Sequence, residues 1–359
     1  MKRIVCMVLA AVLLLSTMVG ALAETQLVKQ KDRKVKIQLK KDSKGNYPVN
    51  PEIPGESMTT GLPWDGYYMP MLVQIDNHEG GIGAFAPWGA SYADIVYETP
   101  LHRQGHTRIS FLFSDEMPES VGPVRSARVG HVWLREEWDA GFIFFGGSEV
   151  KGANINDEFR KFKTSAKGVL FSGMVSESKP WKPLMPRVSG KASPHNVNSN
   201  VMAIQALVPA EHTPPRRPFL FTDELPSTGD FANKITLKWT HPSFVSSFVY
   251  DDTNNVYLRY VTDQPYLDEQ VDEQLAFSNV IIQRVPLKFL ASDQPVTSND
   301  KGSGNADIFI GGRYIPGYWV RTAVEERTIF FDDKGNELQL QRGKTYIAMM
   351  PSDFEVDYE

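Results

Sequence analysis

The stretch Glu119-Ser120-Val121-Gly122-Pro123-Val124-Arg125-Ser126-Ala127-Arg128-Val129-Gly130-His131 decides how the first half of the chain is read. Pro123 suits the first position of a helix, where its missing N–H costs nothing, and Gly122 is an acceptable cap before it. Val124, Ala127, His131, Leu134, Arg135 and Trp138 then recur at helical spacing, which predicts a helix over 123–138. On such a helix Arg125 and Arg128 share one face of the first two turns. A helix start already carries partial positive charge, so two cations beside it call for a negative partner. Three readings stay open: an internal carboxylate from a neighbouring strand (Asp94 or Glu98), an external carboxylate, phosphate or sulfate, or a solvated face.

Working outward, apolar runs at 69–76, 94–101, 107–114 and 141–147 read as strands. The first ends on Asp76-Asn77-His78 before a loop holding Gly80, Gly81 and Gly83, and the last runs into Gly146-Gly147-Ser148. Helices are predicted over 157–162 and 197–207, the second capped near Asn196 or Asn198, with an irregular loop over 181–191. The apolar runs are continuous rather than alternating, so the fold class is α+β or α/β, with an N-terminal mixed sheet covered by helices. After Pro209, Pro214, Pro215 and Pro218 the pattern changes to period two. Strands are expected at 235–240, 244–250, 256–261, 279–285, 307–311, 318–323, 328–332, 337–341 and 346–350, with turns at 252–255 and 332–336. That pattern predicts an all-β C-terminal domain, a small barrel or sandwich. The division is then 1–23 leader, 24–56 basic linker, 57–208 first domain, 209–229 proline-rich linker and 230–359 second domain.

At 359 residues, 42% hydrophobic and 23% charged, the chain has the composition of an ordinary globular protein. Lys2 and Arg3 precede an apolar run over 4–19, and Ala21-Leu22-Ala23 forms a small-x-small cleavage signal. This reads as a secretory signal peptide cleaved after Ala23, which makes the protein secreted. Cys6, the only cysteine, sits inside that run and no lipobox follows it. The mature chain is then cysteine-free, excluding disulfides, thiol catalysis and cysteine-ligated metals. Losing Lys2 and Arg3 takes the formal charge from −5 to −7. Residues 24–44 hold eight basic and three acidic side chains, so the body carries about −12. Such a body excludes general nucleic-acid binding. The basic arm is a solvated leader or, at most, a peripheral contact through 29–44 with membrane or wall. Val35, Ile37 and Leu39 alternate there as a short edge strand would.

Chemistry, if present, belongs where apolar strands end. The sets Asp76-Asn77-His78, Gly146-Gly147-Ser148 and Ser193-Pro194-His195-Asn196 supply a base, an acid and backbone amides if they converge with Arg125 and Arg128. His195 is the candidate proton carrier and Asp76 its orienting partner; a capping or core role for His195 is the alternative. The candidate ligand-binding set is Arg125, Arg128, Asp76, Asn77, Ser126, Ser148, His195 and Asn196, with Asp94, Glu98 and Arg108 as structural partners. Ser126 lacks a Gly-x-Ser-x-Gly elbow, His102 and His106 lie in a turn, and the acids over 263–273 lack the spacing of a calcium loop. No metal and no cofactor are expected. Tyr318 and Trp319 are core aromatics or a sugar-stacking platform.

With those residues assembled, the chain resembles the YerB-like family of bacterial exported lipoproteins, whose two domains carry unknown-function labels. The resemblance rests on Thr60-Gly61-Leu62-Pro63, Val73-Gln74-Ile75-Asp76-Asn77, Ala93-Asp94-Ile95-Val96-Tyr97-Glu98, Thr107-Arg108, 122–128, Gly146-Gly147-Ser148 and 193–196. In the second half it rests on 279–283, Trp319-Val320-Arg321 and 343–347, and it spans 58–351. It implies an extracytoplasmic, envelope-associated protein of two domains and supplies no reaction. Members are commonly lipid-anchored, which the missing lipobox does not match. The function expected is a ligand- or partner-binding module with an anionic site, linked to cell-wall assembly, its partner a wall polymer or an envelope protein. The rivals are a hydrolase or transferase on envelope glycan or phosphate-linked polymer, and a scaffold whose arginines are bonded internally.

Overall fold

Both faces of a sheet must be covered before a strand can be apolar at every position. Strands β1 (Met71–Asn77), β2 (Ile95–Pro100) and β3 (Thr107–Phe113) are buried throughout. The computed structural model describes residues 49–77, 87–103, 106–239, 245–297 and 301–359, with 26–27, 37, 39, 43 and 47 before them. The leader, most of the basic arm, His78 and the glycines at 80, 81 and 83 lie outside the described residues.

β1 pairs antiparallel with β3 and parallel with β4 (Gly141–Phe144), which pairs parallel with β5 (Leu170–Ser172). Beyond residue 230 the described residues form strands and no helix, as the period-two pattern predicts; the main ones are β6 (Lys234–Lys238), β7 (Val245–Asp251), β8 (Val256–Val261), β9 (Asn279–Arg284), β10 (Gly302–Ile310), β11 (Arg313–Arg321), β12 (Ile329–Asp332), β13 (Thr345–Met350) and β14 (Val356–Tyr358). The C-terminal half is not self-contained. One sheet runs β12-β11-β10-β9-β13-β2-β3-β1-β4-β5, drawing on both halves of the chain. β13 is its seam, parallel to β9 on one side and to β2 on the other. A separate all-β region is the antiparallel run β14-β6-β7-β8.

Alternation along a strand assigns each side chain to one layer. Met71, Val73 and Ile75 of β1 join the cluster that includes Ile235, Leu237, Phe248 and Tyr257 of the second sheet. Leu72 faces the opposite cluster with Phe142 and with Val132, Leu134 and Trp138 of helix α1 (Val129–Trp138). Burying one such side chain is worth about 1.5–3 kcal/mol. All ten residues of α1 are buried, so its charges are paired: Arg135 with Glu136 at 2.8 Å and with Asp139 at 2.6 Å, and Glu137 with Arg321 at 3.1 Å.

The helix expected over 123–138 begins six residues late. Residues 123–128 are extended because their backbone groups are taken by neighbouring segments. Arg125 N–H donates to Gln74 O at 2.8 Å, Val124 N–H to Val197 O at 2.8 Å and Ala127 N–H to Gly146 O at 2.9 Å. The segment is a splice between β1, the end of β4 and the 197 strip, and such bonds outweigh local helical spacing. Helix α2 (Ile155–Lys161) is capped by Asn154. Helix α3 (Val201–Gln205) is shorter than the 197–207 expected, and its cap is Asn200, which accepts from Ala203 N–H at 2.8 Å. Asn198 instead accepts from Trp88 Nε1 at 2.7 Å and from Ser120 Oγ at 2.8 Å. Trp319 is 1% exposed and donates to Arg284 O at 2.8 Å, so it is a core residue and no stacking platform. Ile37 and Leu39 pack on the cluster of Tyr318, Ile329 and Phe331.

Candidate functional site

The C-terminal end of β1 delivers Asp76, the start of β3 delivers Arg108, and the spliced segment delivers Arg125 and Arg128. His195 arrives from the turn before α3, after a cis Ser193–Pro194 bond; Gly122–Pro123 is cis as well. Asp76 is the hub. Its Oδ2 is hydrogen-bonded to Nδ1 of His195 and lies 3.4 Å from Nε of Arg125, and its Oδ1 lies 3.7 Å from Nη2 of Arg108. Asp76 and Arg108 are almost wholly buried, whereas the Arg125 side chain is 24% and the His195 side chain 15% exposed.

Burial alone would raise the Asp76 carboxyl. Arg108, the His195 hydrogen bond and Arg125 outweigh it, and the net displacement is below the usual carboxylate value. Burial, with the neighbouring Arg128 and Arg125, brings Arg108 down to about 9 against the pull of Asp76. Burial and Arg125 bring Arg128 down to about 10. His131, the third residue of α1, is held well below its usual value by burial and then by Arg108 and Arg128, so it is neutral. Its Nδ1 accepts the Arg128 N–H at 3.0 Å, which leaves the proton on Nε2 to donate to Thr99 Oγ1 at 2.8 Å.

The structure brings Asp76, His195, Arg108, Arg125 and Arg128 together and turns the other candidates elsewhere. Ser126 gives its hydroxyl to Phe145 O at 3.0 Å and its carbonyl to Arg108 Nη1 at 3.3 Å. Ser148 accepts from Val150 N–H at 3.4 Å within its own loop. Asn196 accepts from Arg187 Nη1 at 2.6 Å and donates to Lys191 O at 3.0 Å. The acids expected to neutralise Arg125 and Arg128 are engaged away from them. Asp94 Oδ2 accepts from Ser114 N–H at 2.5 Å, Ser114 Oγ at 2.9 Å and Asp115 N–H at 3.1 Å. Glu98 accepts from Thr107 Oγ1 at 2.6 Å, Asn77 Nδ2 at 3.2 Å and the Tyr346 hydroxyl, with Arg259 Nη2 at 3.8 Å. Asn77 therefore belongs to this inner network, and its Oδ1 accepts from Tyr266 OH at 2.8 Å.

Gly146 lines a cleft of about 920 Å³, together with residues that include Phe144, Gly147, Asn156, Met174 and Trp181. At φ +80° it takes a left-handed conformation, and a Cβ there would stand 2.6 Å from Met174 Sδ and 3.6 Å from Ser126 Oγ.

The family model described as "Protein of unknown function (DUF3048) N-terminal domain" matches residues 59–213, and its C-terminal counterpart matches 235–347. The chain belongs to the DUF3048 family. It is 25% identical over 287 residues to the Bacillus subtilis (strain 168) protein named "Putative lipoprotein YerB", covering 79% of this chain and 81% of that one. The crystal structure of YerB from Bacillus subtilis superposes with a TM-score of 0.68 at 22% identity, covering 83% of this chain and 97% of that one, and so shares the fold. Within this DUF3048 chain the two matched segments meet at the β2–β13 pairing. Among the described residues no helix is long and apolar enough to cross a membrane.

His131, Thr99, Arg187, Arg259 and Tyr266 were not legible as site neighbours. His131 had a local signal, three residues after Arg128. Tyr266 had none, since it meets Asn77 across 189 residues of sequence.

Proposed function

We propose that the chain is an extracytoplasmic binding module whose ligand is negatively charged and docks at Arg125 and Arg128, beside the Asp76–His195 pair. One observation carries this reading. Two guanidinium groups, Arg125 and Arg108, share the Asp76 carboxylate at 3.4 and 3.7 Å and Arg128 lies beside them with no carboxylate contact among the described residues, while Asp94 and Glu98 are committed elsewhere. Clustered guanidinium groups with unspent donors are suited to carboxylate, phosphate or sulfate. The leader, cleaved after Ala23, and the lipoprotein name of the Bacillus relative support a location outside the cytoplasm. A wall polymer or an envelope protein is the partner class available there. Equilibrium binding of soluble wall fragments and phosphorylated sugars tests the reading: Arg125→Ala plus Arg128→Ala should abolish binding, and unchanged affinity overturns it.

A second reading is favoured by the hydrogen bond between His195 Nδ1 and Asp76 Oδ2. A carboxylate that fixes an imidazole is the arrangement of a general acid/base, and adjacent guanidinium groups steady developing negative charge. On this reading the protein is a hydrolase or transferase acting on envelope glycan or phosphate-linked polymer. Release of product from such polymers by wild type, lost in His195→Gln, supports it; equal release by both discards it.

A further inference from the structure

We infer that the group received by the guanidinium cluster is a tetrahedral dianion, a phosphate monoester or the free phosphate or sulfate ion, in preference to a carboxylate or a phosphodiester. This rests on the anion-site reading above and adds the charge and shape of the ligand.

The argument is a charge inventory. Arg125 lies close enough to Arg108 and Arg128 to lower the proton affinity of both, and even the lower of the two, Arg108 at about 9, stays protonated at neutral pH. Asp76 supplies one negative charge. His131 is neutral. Asp293 stands 3.7 Å from Arg103 and 3.6 Å from His102, so it is matched by its own cation. Among the described residues the three guanidinium groups therefore outnumber the carboxylate by two in a largely buried place, where uncompensated charge is costly.

Donor geometry points the same way. The Nε atoms of Arg108, Arg125 and Arg128 are buried and find no hydrogen-bond acceptor among the described residues. For Arg125 the Asp76 oxygen at 3.4 Å makes an ion-pair contact rather than an aligned hydrogen bond. Three donors on three guanidinium planes, reached from two backbone segments, are poorly served by a flat group with two oxygens. A carboxylate brings one charge and two acceptors, and a phosphodiester brings one charge with two unesterified oxygens. A phosphate monoester brings about two charges and three strong acceptor oxygens. Only the last matches both the surplus charge and the number of donors.

Calorimetric titration of the purified chain at low ionic strength, at about pH 8 where a monoester is dianionic, decides it. The probes are phenyl phosphate, inorganic phosphate, sulfate, dimethyl phosphate and acetate. Phenyl phosphate, phosphate and sulfate should each bind about tenfold or more tighter than dimethyl phosphate and acetate. Arg128→Gln should narrow that gap. If dimethyl phosphate or acetate binds as tightly as phenyl phosphate, the dianion inference falls and the anion site stands. If none of the five binds, both fall. The ranking is read on the wild-type chain, so it holds even if the variant does not fold.

Discussion

Replacing Asp76 by asparagine keeps the shape of the side chain and removes its charge, which isolates the electrostatic role of the hub. The carboxylate is 5% and Arg108 3% exposed, so little water replaces what is lost. Breaking a buried ion pair by removing one partner costs about 3–5 kcal/mol, because the other charge is left uncompensated. For a chain of this size that corresponds to a fall in Tm of about 4–7 °C. Arg108→Met introduced on top of Asp76→Asn should recover more than half of the loss, since the stranded charge leaves with it. Acid should expose the same linkage. With the Asp76 carboxyl held below its usual value of about 4, its stabilisation is present above that pH and is lost as pH falls through the lowered value. Thermal melts of wild type, both single variants and the double variant, taken across that acid range, measure all of this. An Asp76→Asn melt within 1 °C of wild type, or losses that simply add in the double variant, would refute the reasoning.

Glu98→Gln should destabilise by about 2–4 kcal/mol in chemical denaturation, because a neutral amide cannot accept from Thr107, Asn77 and Tyr346 together while facing Arg259. Burial and then the neighbouring Asp115 push Asp94 up to about 7. Its contribution to stability is therefore fully present below about pH 4 and is lost as pH rises through about 7, so Asp94→Asn should flatten Tm against pH in that window. Gly122→Ala should cost about 1–3 kcal/mol, read as a lowered Tm, since the new methyl group would collide with the Trp88 ring and stand 2.6 Å from the backbone oxygen of Val197.

How much was legible follows from where each signal sits. β1, β2 and β3 were read to within about two residues because an apolar run with both faces buried is a local property. The 123–138 helix failed at its first six residues. Val124 and Ala127 do recur at helical spacing, but their N–H groups go to Val197 and Gly146, partners that local spacing cannot reveal. The Asp76–His195 contact was legible as two polar strand-end sets that ought to meet, and it spans 119 residues. Whether Asp94 or Glu98 serves the arginines stayed open in the sequence because burial alone does not say which donors a carboxylate serves. Asp94 caps the end of β3 through Ser114 and Asp115, and Glu98 ties β2 to β13 through Tyr346. The pattern of the C-terminal half gave its strands but not their division between two sheets, since alternation is the same on either one.

β13 occupies the middle of the long sheet, yet it follows every other strand of that sheet in the chain. Until 345–350 leaves the ribosome, β2 has one open edge and Glu98 lacks its tyrosine donor. The first hundred and seventy residues therefore wait as an unfinished template that other chains can pair with. A stop codon anywhere upstream of Thr345 should yield an aggregating fragment rather than a shorter working protein.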